Sequence, residues 1–107
     1  MNSDKVNQLQ VLQHNLQNIS MQKQQIESQV NELDSALEGI KSTNKTYKIV
    51  GRIMIAASKE DLKSDLESKK EVMGLRLKNL INQENSLKSK FEEAQQEAMK
   101  ELKKGKN

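Results

Sequence analysis

The sequence has no cysteine, no proline and no tryptophan, and it has only one tyrosine and one phenylalanine. Without cysteine the chain has no disulfide framework, no thiolate metal site and no cysteine nucleophile. No apolar run approaches the roughly 18 residues that a membrane span needs. The first residues, "MNSDKVNQLQ", have neither the basic nor the apolar segment of a signal peptide. We therefore expect a soluble, cytoplasmic protein.

Apolar residues are also scarce. Only 34% of the 107 residues are hydrophobic, and 31% are charged, whereas nearly half of the residues of a compact globule are apolar. The length suffices for one domain, and we expect a single domain over residues 1–107. A chain of this composition is either disordered or a long helical coiled coil. Hydrophobic periodicity distinguishes the two.

The first 40 residues have an uninterrupted heptad pattern, which predicts a helix from about 3 to 42. Spacings of three and four alternate along ten positions, nine of which are aliphatic, so this seam spans more than four heptads. The positions are Leu9, Leu12, Leu16, Ile19, Lys23, Ile26, Val30, Leu33, Leu37 and Ile40.

A second helix is predicted from about 59 to 103, followed by a short basic tail. Ser58 is a suitable N-cap, and acidic residues occupy the first turn. Two successive spacings of four, around Gly74, interrupt the regular pattern. The seam positions are Leu62, Leu66, Lys69, Met73, Leu77, Leu80, Glu84, Leu87, Phe91, Ala94 and Ala98.

Two seams of similar length predict a mainly α fold, an antiparallel two-helix coiled coil. Pairing the helices from the connection outward brings Lys23 near Glu84 and Lys69 near Asp34. These pairs would fix the register of the helices. Alternatively, both lysines extend to solvent.

The segment between the helices, "YKIVGRIMIA", predicts a β-hairpin over about 46–57 with Gly51-Arg52 as a type II′ loop. One face has Lys48, Val50, Ile53 and Ile55, and the other has Tyr47, Ile49, Met54 and Ala56. One face can lie against the helix ends, but the second face and both edges need a cover. We expect other chains to provide it, through hairpins that join in a shared sheet or barrel.

These features resemble the β-class subunit of prefoldin, an ATP-independent co-chaperone. The resemblance rests on "SMQKQQIESQVNEL", "YKIVGRIMIAASKEDL" and "EEAQQEAMKEL". The hairpin segment is its most specific part. The α-class subunit has two hairpins between its helices, and residues 43–58 have room for one.

The resemblance implies a hexamer of two α-class and four β-class chains, whose hairpins form a double β-barrel hub. It also implies that the ends of the coiled coils hold unfolded client proteins and pass them to a group II chaperonin. Carried onto this sequence, the assembly residues are Tyr47, Ile49, Val50, Gly51, Ile53, Met54 and Ile55.

Client binding would then lie at the helix ends far from the hub, where we expect the seam to fray. Val11 and Met99 fall off the seam, and Ala94 and Ala98 are too small to cover their neighbours fully. From the residues alone, these side chains would merely close the coiled coil, whereas the resemblance favours client binding. The candidates are Val6, Leu9, Val11, Leu12, Phe91, Ala94, Ala98, Met99 and Leu102.

No catalytic, cofactor or metal site is expected. His14 is the only histidine and lies opposite the seam, and the sequence has neither a Gly-rich phosphate loop nor a Cys/His metal motif. Residues 43–107 have fifteen Lys/Arg against ten acids, a net of +5, but these charges are interleaved and no aromatic or Gly-rich element accompanies them. We therefore do not expect nucleic acid to be a partner. The main alternative to a chaperone is a structural coiled-coil subunit of a tethering or scaffolding complex.

Overall fold

The structure is a computed structural model that describes the backbone of residues 2–105 and the side chains of residues 4–103. Two long helices flank a two-stranded antiparallel sheet, which confirms the predicted mainly α fold with one hairpin between the helices. Helix α2 continues past its predicted end at 103, and residues 106 and 107 of the predicted basic tail lie outside the described residues. The elements are α1 (Asn2–Lys41), β1 (Thr46–Val50), β2 (Ile53–Ala57) and α2 (Lys59–Gly105).

The chain divides into two compact units. The terminal unit comprises Met1–Gln24 and Lys78–Asn107, and the hairpin unit comprises Gln25–Leu77. The single domain over 1–107 remains a prediction.

Ion pairs show that the helices are antiparallel in both units. In the terminal unit, Lys5 pairs with Glu97 and Lys23 pairs with Glu84, so residue numbers rise on α1 as they fall on α2. In the hairpin unit, Asp34 pairs with Lys70, and the Lys59 ammonium donates a hydrogen bond to the Lys41 carbonyl, so residue numbers again rise on α1 as they fall on α2.

The burial pattern of α1 follows the predicted seam. All ten seam positions are at least partly buried, whereas His14, on the opposite side, is exposed. Leu12 is the most deeply buried, at 9% exposure. The heptad spacing therefore selects the face that packs against α2.

Helix α2 follows its predicted seam at ten of eleven positions, and the exception is the exposed Lys69. Three seam residues are buried, namely Leu80, Glu84 and Ala94. Among the described side chains, none has less than 2% of its surface exposed. This is the thin core that the low apolar content predicts. Within residues 2–105, neither helix has a stretch long and apolar enough to cross a membrane.

Local hydrogen bonds define the helix ends beside the hairpin. The Ser58 hydroxyl accepts a hydrogen bond from the backbone N–H of Asp61 at 3.1 Å, so Ser58 is the N-cap of α2 as predicted. At the end of α1, the Ser42 N–H donates to the Gly39 carbonyl at 3.3 Å. The Lys59 ammonium donates to the Lys41 carbonyl at 3.3 Å, which satisfies a terminal acceptor of α1 from the first residue of α2.

Candidate assembly and client-binding surfaces

The hairpin has the predicted two-residue loop. Val50 pairs with Ile53, so only Gly51 and Arg52 lie between the strands. Gly51 has a φ of 62°, and no non-glycine residue among those described has a positive φ. A positive φ at the first loop position alone is typical of a type II′ turn, in which glycine has no steric penalty.

The strand register sets the two faces of the hairpin. Residues directly opposite each other share a face, and the cross-strand partners match the predicted faces. The partners on one face are Lys48 with Ile55 and Val50 with Ile53, and those on the other are Tyr47 with Ala56 and Ile49 with Met54.

Both faces of the hairpin are exposed. Ile49 is 70% exposed and Met54 is 66% exposed on one face, while Ile53 is 65% exposed on the other. The expectation that one face lies against the helix ends is therefore wrong. Two five-residue strands with apolar side chains on both sides leave more surface uncovered than the sequence alone suggested.

The candidate client-binding residues of the terminal unit fall into two groups. The seam members Leu12 and Ala94 are buried, at 9% and 6% exposure, and they line the same crevice between α1 and α2. The expectation that the seam frays is wrong at these two positions, because both side chains are buried and both helices continue well beyond them. Leu9, Phe91 and Ala98 are partly buried, and the exposed members are Val6, Val11, Met99 and Leu102.

Ion pairs that the sequence analysis did not identify connect the helices beside these exposed residues. The Lys5 ammonium lies 3.2 Å from a carboxylate oxygen of Glu101 and 3.6 Å from one of Glu97. The two acids are four residues apart on α2, so both face the same turn of α1. The spacing of the two acids does not identify Lys5 as their partner, so the sequence had no local signal for this contact.

A charged layer interrupts the apolar seam of the terminal unit. Glu84 is buried, and one of its carboxylate oxygens lies 3.1 Å from the Lys23 ammonium and 3.7 Å from that of Lys88. The hydrogen bond from Lys23 lowers the pKa of Glu84 below its usual range. Burial opposes this effect, and the positive charges of Lys23 and Lys88 add to it. Of the two alternatives for Lys23, the structure therefore shows pairing.

The second predicted seam pair is different in the structure. Asp34 pairs with Lys70 at 2.6 Å, whereas Lys69 is exposed. Two successive spacings of four shift the seam so that it passes between positions 69 and 70, and a lysine at either position lies beside it. The predicted partner of Asp34 was therefore wrong by one residue.

Further exposed apolar side chains lie outside both candidate sets. In the terminal unit these are Met21 and Ile81, and in the hairpin unit they are Val72 and Leu75. Met21 and Leu75 lie opposite the seams of their helices. The heptad phase identifies such positions as solvent-facing, and this was the signal available in the sequence.

Comparisons with known proteins agree with this geometry. The chain matches the Prefoldin subunit family over residues 3–105. It is 38% identical over 94 residues to prefoldin subunit beta of Archaeoglobus fulgidus, covering 85% of this chain and 81% of that protein. Identity to prefoldin subunit beta of Methanosarcina acetivorans is 33% over 102 residues, covering 92% and 87% of the two chains.

A solved structure is similar as well. The crystal structure of the prefoldin beta subunit from Thermococcus strain KS-1 superposes with a TM-score of 0.89 at 29% identity, covering 94% of this chain and 91% of that one. Prefoldin beta subunits assemble with other prefoldin subunits. The chain therefore belongs to the prefoldin subunit family of chaperones and is similar to its beta subunits.

Proposed function

We propose that this protein is an ATP-independent holdase subunit. It assembles through its hairpin into a hexamer of two α-class and four β-class chains. The ends of its coiled coil bind unfolded proteins and deliver them to a group II chaperonin. The observation that supports this most is the exposure of apolar side chains both on the hairpin and at the ends of the helices.

The assembly role rests on the hairpin. An isolated two-stranded hairpin is marginally stable in water, and its open edges pair readily with other strands. Here both faces are exposed and apolar, with Ile49, Ile53 and Met54 each about two-thirds exposed or more. Neighbouring hairpins that share a barrel would cover these faces and both edges.

The client-binding role rests on four exposed tip residues, Val6, Val11, Met99 and Leu102. They come from both helices of the terminal unit, and each contributes about 1–3 kcal/mol when a client buries it fully. The flexible thioether of Met99 adapts to different partners. Each contact is weak, and several subunits that hold one client together gain affinity through avidity.

We propose that holding is a binding process without catalysis. The sequence has one histidine and no cysteine, and His14 lies on the exposed side of α1. In this proposal no residue at the end of the coiled coil acts as a catalyst. Release of the client depends on its transfer to the chaperonin. We place the protein in the cytoplasm, where a chain without cysteine suits the reducing conditions.

A tip variant tests this proposal against a matched control. The tip variant replaces Val6, Met99 and Leu102 with serine. The control replaces Val72 and Leu75 of the hairpin unit with serine, since these two side chains are exposed to a similar extent. We expect the purified complex of the tip variant to lose most of its suppression of aggregation of an unfolded test protein at unchanged mass, while the control complex protects as the natural one does.

Two results would count against the proposal. Equal protection by the tip variant and the natural complex would move client binding away from the tips. A complex that assembles but never suppresses aggregation would favour the tethering or scaffolding alternative.

A further inference from the structure

One stretch of α1 has no charge. Residues 6–22 contain no Lys, Arg, Asp or Glu, whereas residues 78–103 of α2, in the same terminal unit, contain ten. Charged side chains are the usual way to keep an exposed helix surface solvated. The outer face of α1 therefore differs in chemistry from that of the helix it packs against.

A second stripe of residues runs along this outer face, opposite the seam. Its spacings are four, three, four and three, so its members lie on one side of the helix. All five are exposed, including the apolar Val11 at 59% and Met21 at 68%. The members of this neutral stripe are Asn7, Val11, His14, Asn18 and Met21.

We propose that the neutral stripe is a docking track for an uncharged, extended polypeptide segment, an inference that rests on the proposed holdase function. The track extends client binding from the tip residues along α1. Fourteen residues of helix separate Asn7 from Met21, which is about 21 Å. An extended strand of about six residues has this length.

The hydrogen-bonding groups of the stripe match those of a peptide backbone. Asparagine and glutamine side chains donate and accept hydrogen bonds, as peptide groups do. Asn18 lies between the exposed apolar residues Val11 and Met21. The exposed Gln10 and Gln22 flank the stripe. An unfolded segment therefore finds partners for its backbone groups whatever its sequence.

The absence of charge selects the occupant. A charged segment would lose hydration against the stripe without gaining an ionic partner from it, which is unfavourable. A neutral segment loses much less hydration free energy when it lies against the stripe. A second copy of this chain is a poorer occupant, because stable protein–protein interfaces use about 20–30 residues on each side and the stripe has five.

Peptide binding to the full-length chain tests the proposal by fluorescence anisotropy. The probe is a labelled twelve-residue peptide of Thr, Val, Gln and Ser, and a second peptide has three of these positions changed to Glu. The test variant is Val11→Glu with Met21→Glu. The control, Asn82→Glu with Gln96→Glu, adds the same charge to exposed positions of α2 in the same unit.

We expect the test variant to bind the neutral peptide about tenfold more weakly, because it loses two apolar contacts and gains two charges that resist desolvation. The control should change by less than about twofold. The natural chain should bind the Glu-containing peptide more weakly than the neutral one. A milder variant, Val11→Gln with Met21→Gln, keeps the stripe neutral and should lose only about threefold. Circular dichroism checks that each variant keeps its helices.

Unchanged binding by the test variant, or an equal loss in the control, would overturn the docking track. So would a test variant that binds peptide normally but self-associates less in sedimentation, because the stripe would then contact other copies. If the track fails while the tip variant still loses protection, the proposed holdase function stands. If the natural chain neither protects a client nor binds the neutral peptide, both proposals fail.

Discussion

The Lys23 ammonium lies 3.1 Å from a carboxylate oxygen of Glu84, on facing seam positions that coiled coils usually fill with apolar residues. Glu84 is 8% exposed and is the only polar or charged residue among those described that is buried. Such a pair is weak evidence for stability, and we infer that it favours one register over others. In this chain it identifies which turn of α1 lies against which turn of α2 in the terminal unit.

Breaking this pair should destabilise the coiled coil more than removing both partners. We expect Glu84→Gln and Lys23→Met each to lower the urea midpoint of the full-length chain, because the first leaves the partly buried Lys23 ammonium, and the second the buried Glu84 carboxylate, with a poorer partner. Lys23→Leu combined with Glu84→Leu should restore the midpoint or raise it. A double variant less stable than either single variant would contradict this account.

An exposed ion pair provides the control for these variants. The Lys41 ammonium lies 3.2 Å from a Glu38 carboxylate oxygen, and both side chains are largely exposed. Replacing Lys41 with Ala should change the free energy of unfolding by less than about 0.5 kcal/mol.

The Lys23–Glu84 pair predicts that the stability of the folded chain depends on pH. The pKa of Glu84 is lowered in the folded chain, chiefly by the Lys23 hydrogen bond. As pH falls through the usual carboxyl range, the unfolded chain takes up this proton first, so the stabilisation by Glu84 begins to decline. It is lost entirely only below the lowered pKa of the folded state. Urea unfolding across acidic pH should therefore show a shallower loss for Glu84→Gln than for the natural chain, and identical slopes would contradict the assignment.

Two glycines should respond in opposite ways to alanine. Gly74 lies inside α2, and an added Cβ would meet nothing within 4 Å, so Gly74→Ala should raise the free energy of unfolding by about 1 kcal/mol. Gly51 has a φ of 62°, so Gly51→Ala should lower stability by about 1–2 kcal/mol. Urea denaturation measures both, and a destabilising Gly74→Ala would show that the helix needs the glycine there.

Charges placed on the hairpin should abolish assembly. Ile53 and Ile55 lie on one face of the hairpin, and neither is buried within the chain. Replacing both with Asp would put two unpaired carboxylates into the shared sheet, which is strongly unfavourable, while the coiled coil is untouched. Mass measurement should find no complex with other prefoldin subunits, and circular dichroism should find the helices largely intact. A double variant that assembles normally would refute the role of the hairpin.

Much of the fold could be predicted from the sequence because heptad spacing and turn chemistry are local signals. The ten seam positions of α1 follow from spacing alone, since a regular helix puts them on one side. Gly51 predicts the loop because a type II′ turn needs a positive φ at its first position. The Ser58 cap needs only a hydroxyl before an acidic first turn.

The remaining features depend on side-chain reach and on packing between the helices. Whether Lys69 or Lys70 meets Asp34 depends on the helix phase after two successive spacings of four, to within a fraction of a turn. The contact of Lys5 with α2 joins positions about ninety residues apart, which no local pattern relates. Whether small alanines can close the seam depends on how closely the helices pack, so the sequence predicted fraying at Leu12 and Ala94, which are buried.

Site-specific photo-crosslinking can locate where clients and subunits bind, with one crosslinking residue at position 102, 75 or 49 of the full-length chain in its assembled complex. All three natural residues are exposed apolar side chains. We predict that position 102 captures an unfolded client, that position 49 captures another prefoldin subunit, and that position 75 captures the client far less than position 102. Client captured equally at positions 75 and 102, or mainly at position 49, would contradict the account.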